Sequence, residues 1–176
     1  MSETVARKPY RAIVFMAWGE EFIQHAAHCI GGPDFPDYPV YLLTDETSSA
    51  QSLPEHVTVI RRSFHFGGKL AKVELMRNLP EHLETVLFLD VDTQVLADIS
   101  LGFDKAEQHG LAMAAAPHYS LEHFRNFGTV MDREGVPRQG QLLYNSGVIF
   151  FSAKNPQVQE IFKLACTVAE KDDVAP

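Results

Sequence analysis

ETVLFLDVDTQVLADI, residues 84–99, runs the apolar segment TVLFL straight into two aspartates separated by one valine. An apolar run of this length reads as a strand buried on both faces. Two carboxylates at its end repel each other unless something positive sits between them. On an extended backbone, residues two apart point to the same side, so Asp90 and Asp92 share a target if that conformation persists past Leu89. Hard divalent cations suit such a pair. Magnesium and manganese take one or two carboxylates from a protein and complete their shell with water and phosphate oxygens. A solvated turn after a strand would use the same residues.

The rest of the chain repeats the strand-then-helix theme. RAIVFMAW (11–18) is a second apolar run that stops at Gly19, and from Glu20 the residues Phe22, Ala26, Cys29 and Ile30 fall at helical spacing. Glu20 and Glu21 favour the positive end of that helix, and Gly31 and Gly32 end it. VYLLTD (40–45) and VTVIRR (57–62) read as further strands, with turn formers in GGPDFPDYP before the first of them. Leu70, Val73, Met76 and Leu79 recur every three positions and predict a helix between Lys69 and Leu79. LAMAAA (111–116) and SGVIFFS (146–152) are strand-like. Asn155 and Pro156 open a last helix over 156–170, with Val158, Ile161, Phe162, Ala165 and Ala169 on its apolar face.

Apolar strands alternating with helices imply an α/β fold, a mostly parallel sheet covered on both sides. In open sheets of this kind ligands bind beyond the carboxyl ends of the strands. Trp18, Asp45 and the Asp90/Asp92 pair all fall at such ends and are expected to share one crevice.

Composition narrows the partners. A net charge of -8 with 15 scattered Lys and Arg argues against nucleic acid. The two cysteines, Cys29 and Cys166, sit in helix-like apolar patterns and read as buried small residues rather than a disulfide. No signal-peptide core and no apolar run long enough to span a bilayer occurs, so a cytoplasmic location is expected. The eight histidines contain no H-x-x-x-H pairing for zinc, and His118, after a strand end, either reaches the crevice or is simply exposed.

ETVLFLDVDTQVLADI, then roughly fifty residues, then LYNSGVIFF (143–151) resembles the glycogenin-like, retaining nucleotide-sugar glycosyltransferases of the GT-A fold. The resemblance covers residues 11–165. It implies that Asp90 and Asp92 bind a divalent ion, manganese (Mn2+) or magnesium (Mg2+), that grips the diphosphate of a nucleotide sugar, often UDP-linked. It places backbone atoms of Val91 near the ribose, and Ala17 and Trp18 near the base. Phe22 either joins Trp18 in stacking or belongs to the core. Lys72, in KVELM, matches the lysine that approaches the phosphates or sugar, whereas Lys69 reads as a surface charge. Asp45 either accepts a hydrogen bond from the base or caps its own loop. Asn145 and Ser146, in YNSG, would contact the sugar, and Gly147 permits close backbone approach.

The implied activity is transfer of a sugar, with retention, from a nucleotide diphosphate to an acceptor hydroxyl; no residue stands out as nucleophile. The family's DQ segment and later metal-binding His would follow the last helix, but the sequence reads only EKDDVAP there. The expectation is therefore one nucleotide-sugar-binding domain over 1–176 that lacks its C-terminal part. Two alternatives stay open. One is a non-catalytic nucleotide-sugar-binding module; the other is a phosphatase of the haloacid dehalogenase type, whose two acids also follow an apolar strand.

Overall fold

Along β1 (Arg11–Met16) Ile13 and Phe15 face one side of the sheet and Ala12 and Val14 the other, and all four are fully buried. β2 (Val40–Thr44) and β4 (Thr85–Leu89) repeat this, with Leu42 and Leu87 on the first side and Leu43 and Val86 on the second. Neither face can meet water, so each needs a layer of helices. The first is covered by α1 (Glu20–Ile30) through Ile23 and Ala26, and by α3 (Ser100–His109) through Phe103. The second is covered by α2 (Leu75–Asn78) through Leu75 and by α5 (Pro156–Lys171) through Val158. These relations come from a computed structural model that describes residues 9–120, 127–138 and 141–171.

With β3 (Val57–Arg61), β5 (Leu111–Ser120) and β6 (Leu142–Ser152), the sheet has six strands in the order β3-β2-β1-β4-β6-β5. The pairs β1–β2, β2–β3 and β1–β4 are parallel. β6 is antiparallel to both its neighbours, so β5 runs with the other four and only β6 is reversed. The expected mostly parallel sheet with helices on both faces is what forms. The reversal matters for the site, because the start of β6 reaches the edge where β1 and β4 end.

Several elements depart from the sequence reading. The segment expected as one helix over 69–79 is a 3₁₀ helix, Gly68–Glu74, followed by the single α-helical turn of α2. A repeat of three is the period of a 3₁₀ helix, in which residues i and i+3 eclipse. Its buried residues are Ala71 and Glu74, with Leu75 and Asn78 buried in α2, whereas Leu70, Val73, Met76 and Leu79 are half-buried. β6 begins at Leu142 rather than Ser146. Asn155 caps α5 as expected, accepting from the Gln157 N–H at 2.9 Å, but Ile161 on that helix is 49% exposed and not part of the core. α3 and the short α4 (Phe127–Arg133) were not predicted. Arg11 fastens α3 to the sheet, donating to Glu107 at 2.8 Å and to Asp104 at 2.5 Å. Those carboxylates push the Arg11 pKa up, the Glu107 hydrogen bond most strongly.

Both cysteines are free; Cys29 is buried, while Cys166 is half-buried rather than buried. Among the described residues no helix is long and apolar enough to cross a membrane. The side chain of His118 and the residues 172–176 lie outside the described residues.

Candidate functional site

β4 delivers Asp90 to the carboxyl edge of the sheet and ends there. Its last ladder bond is the Asp90 N–H donating to the Gly147 carbonyl of β6 at 2.8 Å. The chain then turns at once, because the Asp90 carbonyl accepts from the Thr93 N–H at 3.1 Å and from the Thr93 hydroxyl at 2.6 Å. The extended backbone on which Asp90 and Asp92 would point alike therefore stops at Leu89, a correction to the sequence reading. The turn nevertheless leaves both acids on one cavity of about 370 Å³, together with Ala17, Trp18, Lys72 and Val91. Phe22 and His25 of α1 and Lys69 also line it. Phe22 is 52% exposed, which removes it from the core.

The two acids differ in their partners. Lys72 donates from Nζ to Asp90 Oδ2 at 2.6 Å and to the Ser146 carbonyl at 3.3 Å, with Nζ 5.4 Å from the centre of the Phe88 ring. Asp92 is exposed and its carboxylate has no hydrogen bond or ion pair among the described residues. A second-row acid set is absent: among the described residues no three His, Cys, Asp or Glu side chains are grouped to hold a metal. Two carboxylates on an open cavity still fit magnesium or manganese, which leave their other positions to water and phosphate. The residues present fit that ion.

β6 lies beside the acid pair, next to β4. Gly147 is buried with two side-chain oxygens close against it: a Cβ there would stand 2.9 Å from Asp90 Oδ2 and 3.1 Å from Asn145 Oδ1. Asn145 Oδ1 accepts from the Gly147 N–H at 2.7 Å, which fixes its amide and leaves its NH₂ to donate outward. Asn145 and Ser146 are both exposed, and Ser146 meets Lys72 through its backbone carbonyl, not its hydroxyl.

Trp18 stacks on Phe64 with ring centres 5.3 Å apart and an interplanar angle of 29°. Trp18 also lines a second cavity of about 510 Å³, together with Phe64, Asp45, Arg62 and His65. Asp45 is thus a neighbour of Trp18 but not of the acid pair. Its Oδ1 accepts from the Ser48 N–H at 2.6 Å, the Thr47 N–H at 2.9 Å and the Thr47 hydroxyl at 3.3 Å. The Ser48 N–H above all holds this carboxyl below its ordinary pKa. Asp45 therefore caps its own loop, the plainer of its two readings, with Oδ1 fully used.

One functional support escaped the sequence reading. Glu74 is completely buried, accepts from the His65 N–H at 3.1 Å and the Phe66 N–H at 2.8 Å, and pairs with Arg77. It ties the Phe64 loop to the helix that carries Lys72. Its only trace in the sequence is an acid inside the apolar stretch LAKVELM, and Phe64 has no trace at all.

No protein-family model and no curated protein matches the sequence. Solved structures match the fold. The galactosyltransferase LgtC, in a structure with donor and acceptor sugar analogues, aligns with a TM-score of 0.65 at 19% identity, over 94% of this chain and 66% of its own. GlyE, a glycosyltransferase of Streptococcus pneumoniae TIGR4, aligns at 0.59 and 17% identity, over 96% of this chain and 41% of its own. 4-Diphosphocytidyl-2C-methyl-D-erythritol synthase of Anaerococcus prevotii DSM 20548 aligns at 0.52 and 9% identity, over 95% of this chain and 78% of its own. The chain thus spans just under two thirds of LgtC and less than half of GlyE. At these identities the likeness is one of fold, that of the GT-A nucleotide-diphospho-sugar transferases, and it does not single out the glycogenin-like ones.

Proposed function

We propose that the crevice is the donor site of a metal-dependent glycosyltransferase that moves a hexose from a nucleotide diphosphate, UDP in the first instance, to an acceptor hydroxyl with retention. The observation that carries this reading is the meeting of Trp18, Lys72, Asp90 and Asp92 on one cavity at the carboxyl ends of β1 and β4. That edge is where α/β sheets bind their ligands. The fold neighbours support the class of reaction, since LgtC carries that activity in its name and was solved with donor and acceptor analogues. Retention rests on the sequence resemblance.

Each residue has a part that its geometry suits. Asp90 and Asp92 would hold Mn2+ or Mg2+, which when bound stabilises the negative charge of the departing diphosphate. Lys72 offers its ammonium to the same phosphates, already aimed by Asp90 and the Ser146 carbonyl. Trp18, backed by Phe64, gives a flat apolar wall for the base, with Ala17 and Val91 bringing backbone close to the nucleoside. The NH₂ of Asn145 and the exposed hydroxyl of Ser146 would meet sugar hydroxyls.

Calorimetric binding of UDP with and without Mn2+, to the native chain and to Asp92→Asn, tests this. Binding that requires the ion and weakens about tenfold or more in the variant is expected, a loss of about 1.4 kcal/mol or more. UDP binding that ignores both the ion and the variant would overturn it.

A further inference from the structure

Of the two carboxylates on the cavity, one already has a cation. Lys72 Nζ lies 2.6 Å from Asp90 Oδ2, where a metal ligand's own ion would otherwise bond, and the side chains of the pair are 19% and 31% exposed. Neither partner is loosely placed. Asp90 is fixed on both backbone sides, by its N–H to Gly147 and its carbonyl to Thr93, and its carboxylate lies against Gly147, where a Cβ would come within 2.9 Å. Lys72 springs from a 3₁₀ helix anchored by the buried Ala71 and Glu74, and its ammonium is held by a second acceptor, the Ser146 carbonyl, and the face of Phe88. Only its side-chain torsions are free to change.

We infer that Lys72 is a built-in counter-ion that makes uptake of the divalent cation conditional on the diphosphate. This rests on the donor-site reading above. With the crevice empty of anions, a divalent ion approaching Asp90 must displace the ammonium or sit beside it, and like charges a few ångströms apart in a partly buried site repel strongly. A diphosphate changes the balance by bringing acceptor oxygens for both cations. Lys72 then turns from Asp90 to phosphate, and Asp90 joins Asp92 on the ion. Each ligand thereby tightens the other, by the same factor in either order, because coupling between two binding sites is reciprocal. The device discriminates against ligands with too little negative charge: a nucleoside monophosphate supplies fewer oxygens for the two cations and couples more weakly.

The test reads Mn2+ binding directly, by the electron paramagnetic resonance of the free ion, and needs no turnover. In the native chain, UDP is expected to tighten Mn2+ by at least tenfold, and UMP by clearly less. In Lys72→Gln and in Lys72→Met, which keeps the apolar stem over Phe88, Mn2+ alone is expected to bind at least tenfold tighter than to the native chain, with the UDP effect shrunken. Lys72→Arg should behave as the native chain. If the native chain binds Mn2+ with UDP but equally well without it, or if neither neutral variant binds the bare ion more tightly, the counter-ion proposal is overturned while the donor site stands. No Mn2+ binding by the native chain even with UDP would overturn the donor-site reading and this proposal together.

Discussion

Gly147 shows how much can hang on a missing side chain. Its backbone is not in the left-handed region, so alanine is conformationally acceptable there. The obstacle is the new Cβ, 2.9 Å from Asp90 Oδ2 and 3.1 Å from Asn145 Oδ1. Something must shift, and the Asp90 carboxylate, held at its backbone, has its tip to give. Gly147→Ala is expected to pull Asp90 off Lys72 and to weaken Mn2+-dependent UDP binding by about tenfold, while lowering stability by only ~1 kcal/mol, the low end for an overpacked site. Calorimetry and urea denaturation on the same preparation read the two effects; binding left intact, or a variant that no longer folds, would refute this. At this scale the sequence was legible where residues carry unusual chemistry in company. The acid pair, Lys72 and YNSG could be singled out, and the structure does bring them together. Asp45 carries equally suggestive chemistry but spends Oδ1 on Thr47 and Ser48, a local arrangement that the types alone left as an even choice. Phe64 was unreadable, because its partnership with Trp18 depends on how a loop returns, not on any pattern around it.

Elements were readable in proportion to their hydrophobic contrast. β1, β2 and β4 are apolar throughout because both their faces are buried, and they emerged within two residues of their ends. α3 did not emerge, since only Phe103 and Ala106 of its ten residues are buried and a glycine stands third. The structure explains that glycine. A Cβ on Gly102 would lie 2.3 Å from the Phe150 ring, so the helix backbone itself rests on the sheet at that point. Gly102→Ala should therefore destabilise the protein by about 1–3 kcal/mol, against the small gain that alanine usually gives inside a helix. Chemical denaturation checks the sign, and a more stable variant would mean that α3 rides higher than described. The 3₁₀ helix is legible in its period of three, but its buried side is Ala71 and Glu74 rather than the residues that carry that period.

At the scale of the molecule, the layers were legible and the reversal of β6 was not. Apolar strands between helices imply a covered sheet, yet SGVIFFS would look the same running either way. The edge of the sheet opposite the crevice carries a feature that bears on overall stability. Tyr10 and Tyr41 bring their hydroxyls within 3.2 Å, and the Tyr41 hydroxyl lies 2.9 Å from His82 Nε2. Burial, and next the Tyr10 hydrogen bond, push the Tyr41 phenol up to about 12. A raised folded-state pKa means that the folded chain favours the protonated phenol. That share of stability is complete below the unfolded value of about 10 and drains away as pH rises from there toward 12. Ultraviolet titration of the phenolates should show a late-ionising component that Tyr41→Phe removes; the loss of an early component instead in that variant would contradict this.

β6 has one more consequence, and it concerns time rather than shape. It is the last of the described strands but lies inside the sheet, between β4 and β5, pairing Leu89 with Val148 and Met113 with Ile149. A chain being synthesised has nothing to close the open edge of β4 until Leu142–Ser152 has emerged, and a bare, wholly apolar strand edge invites pairing with other chains. The closure is also long-range in sequence, which makes it slow. It is the same step that brings Gly147 to the Asp90 N–H and Ser146 to Lys72. Completion of the sheet and the fixing of Asp90 and Lys72 in their final places are thus linked in folding.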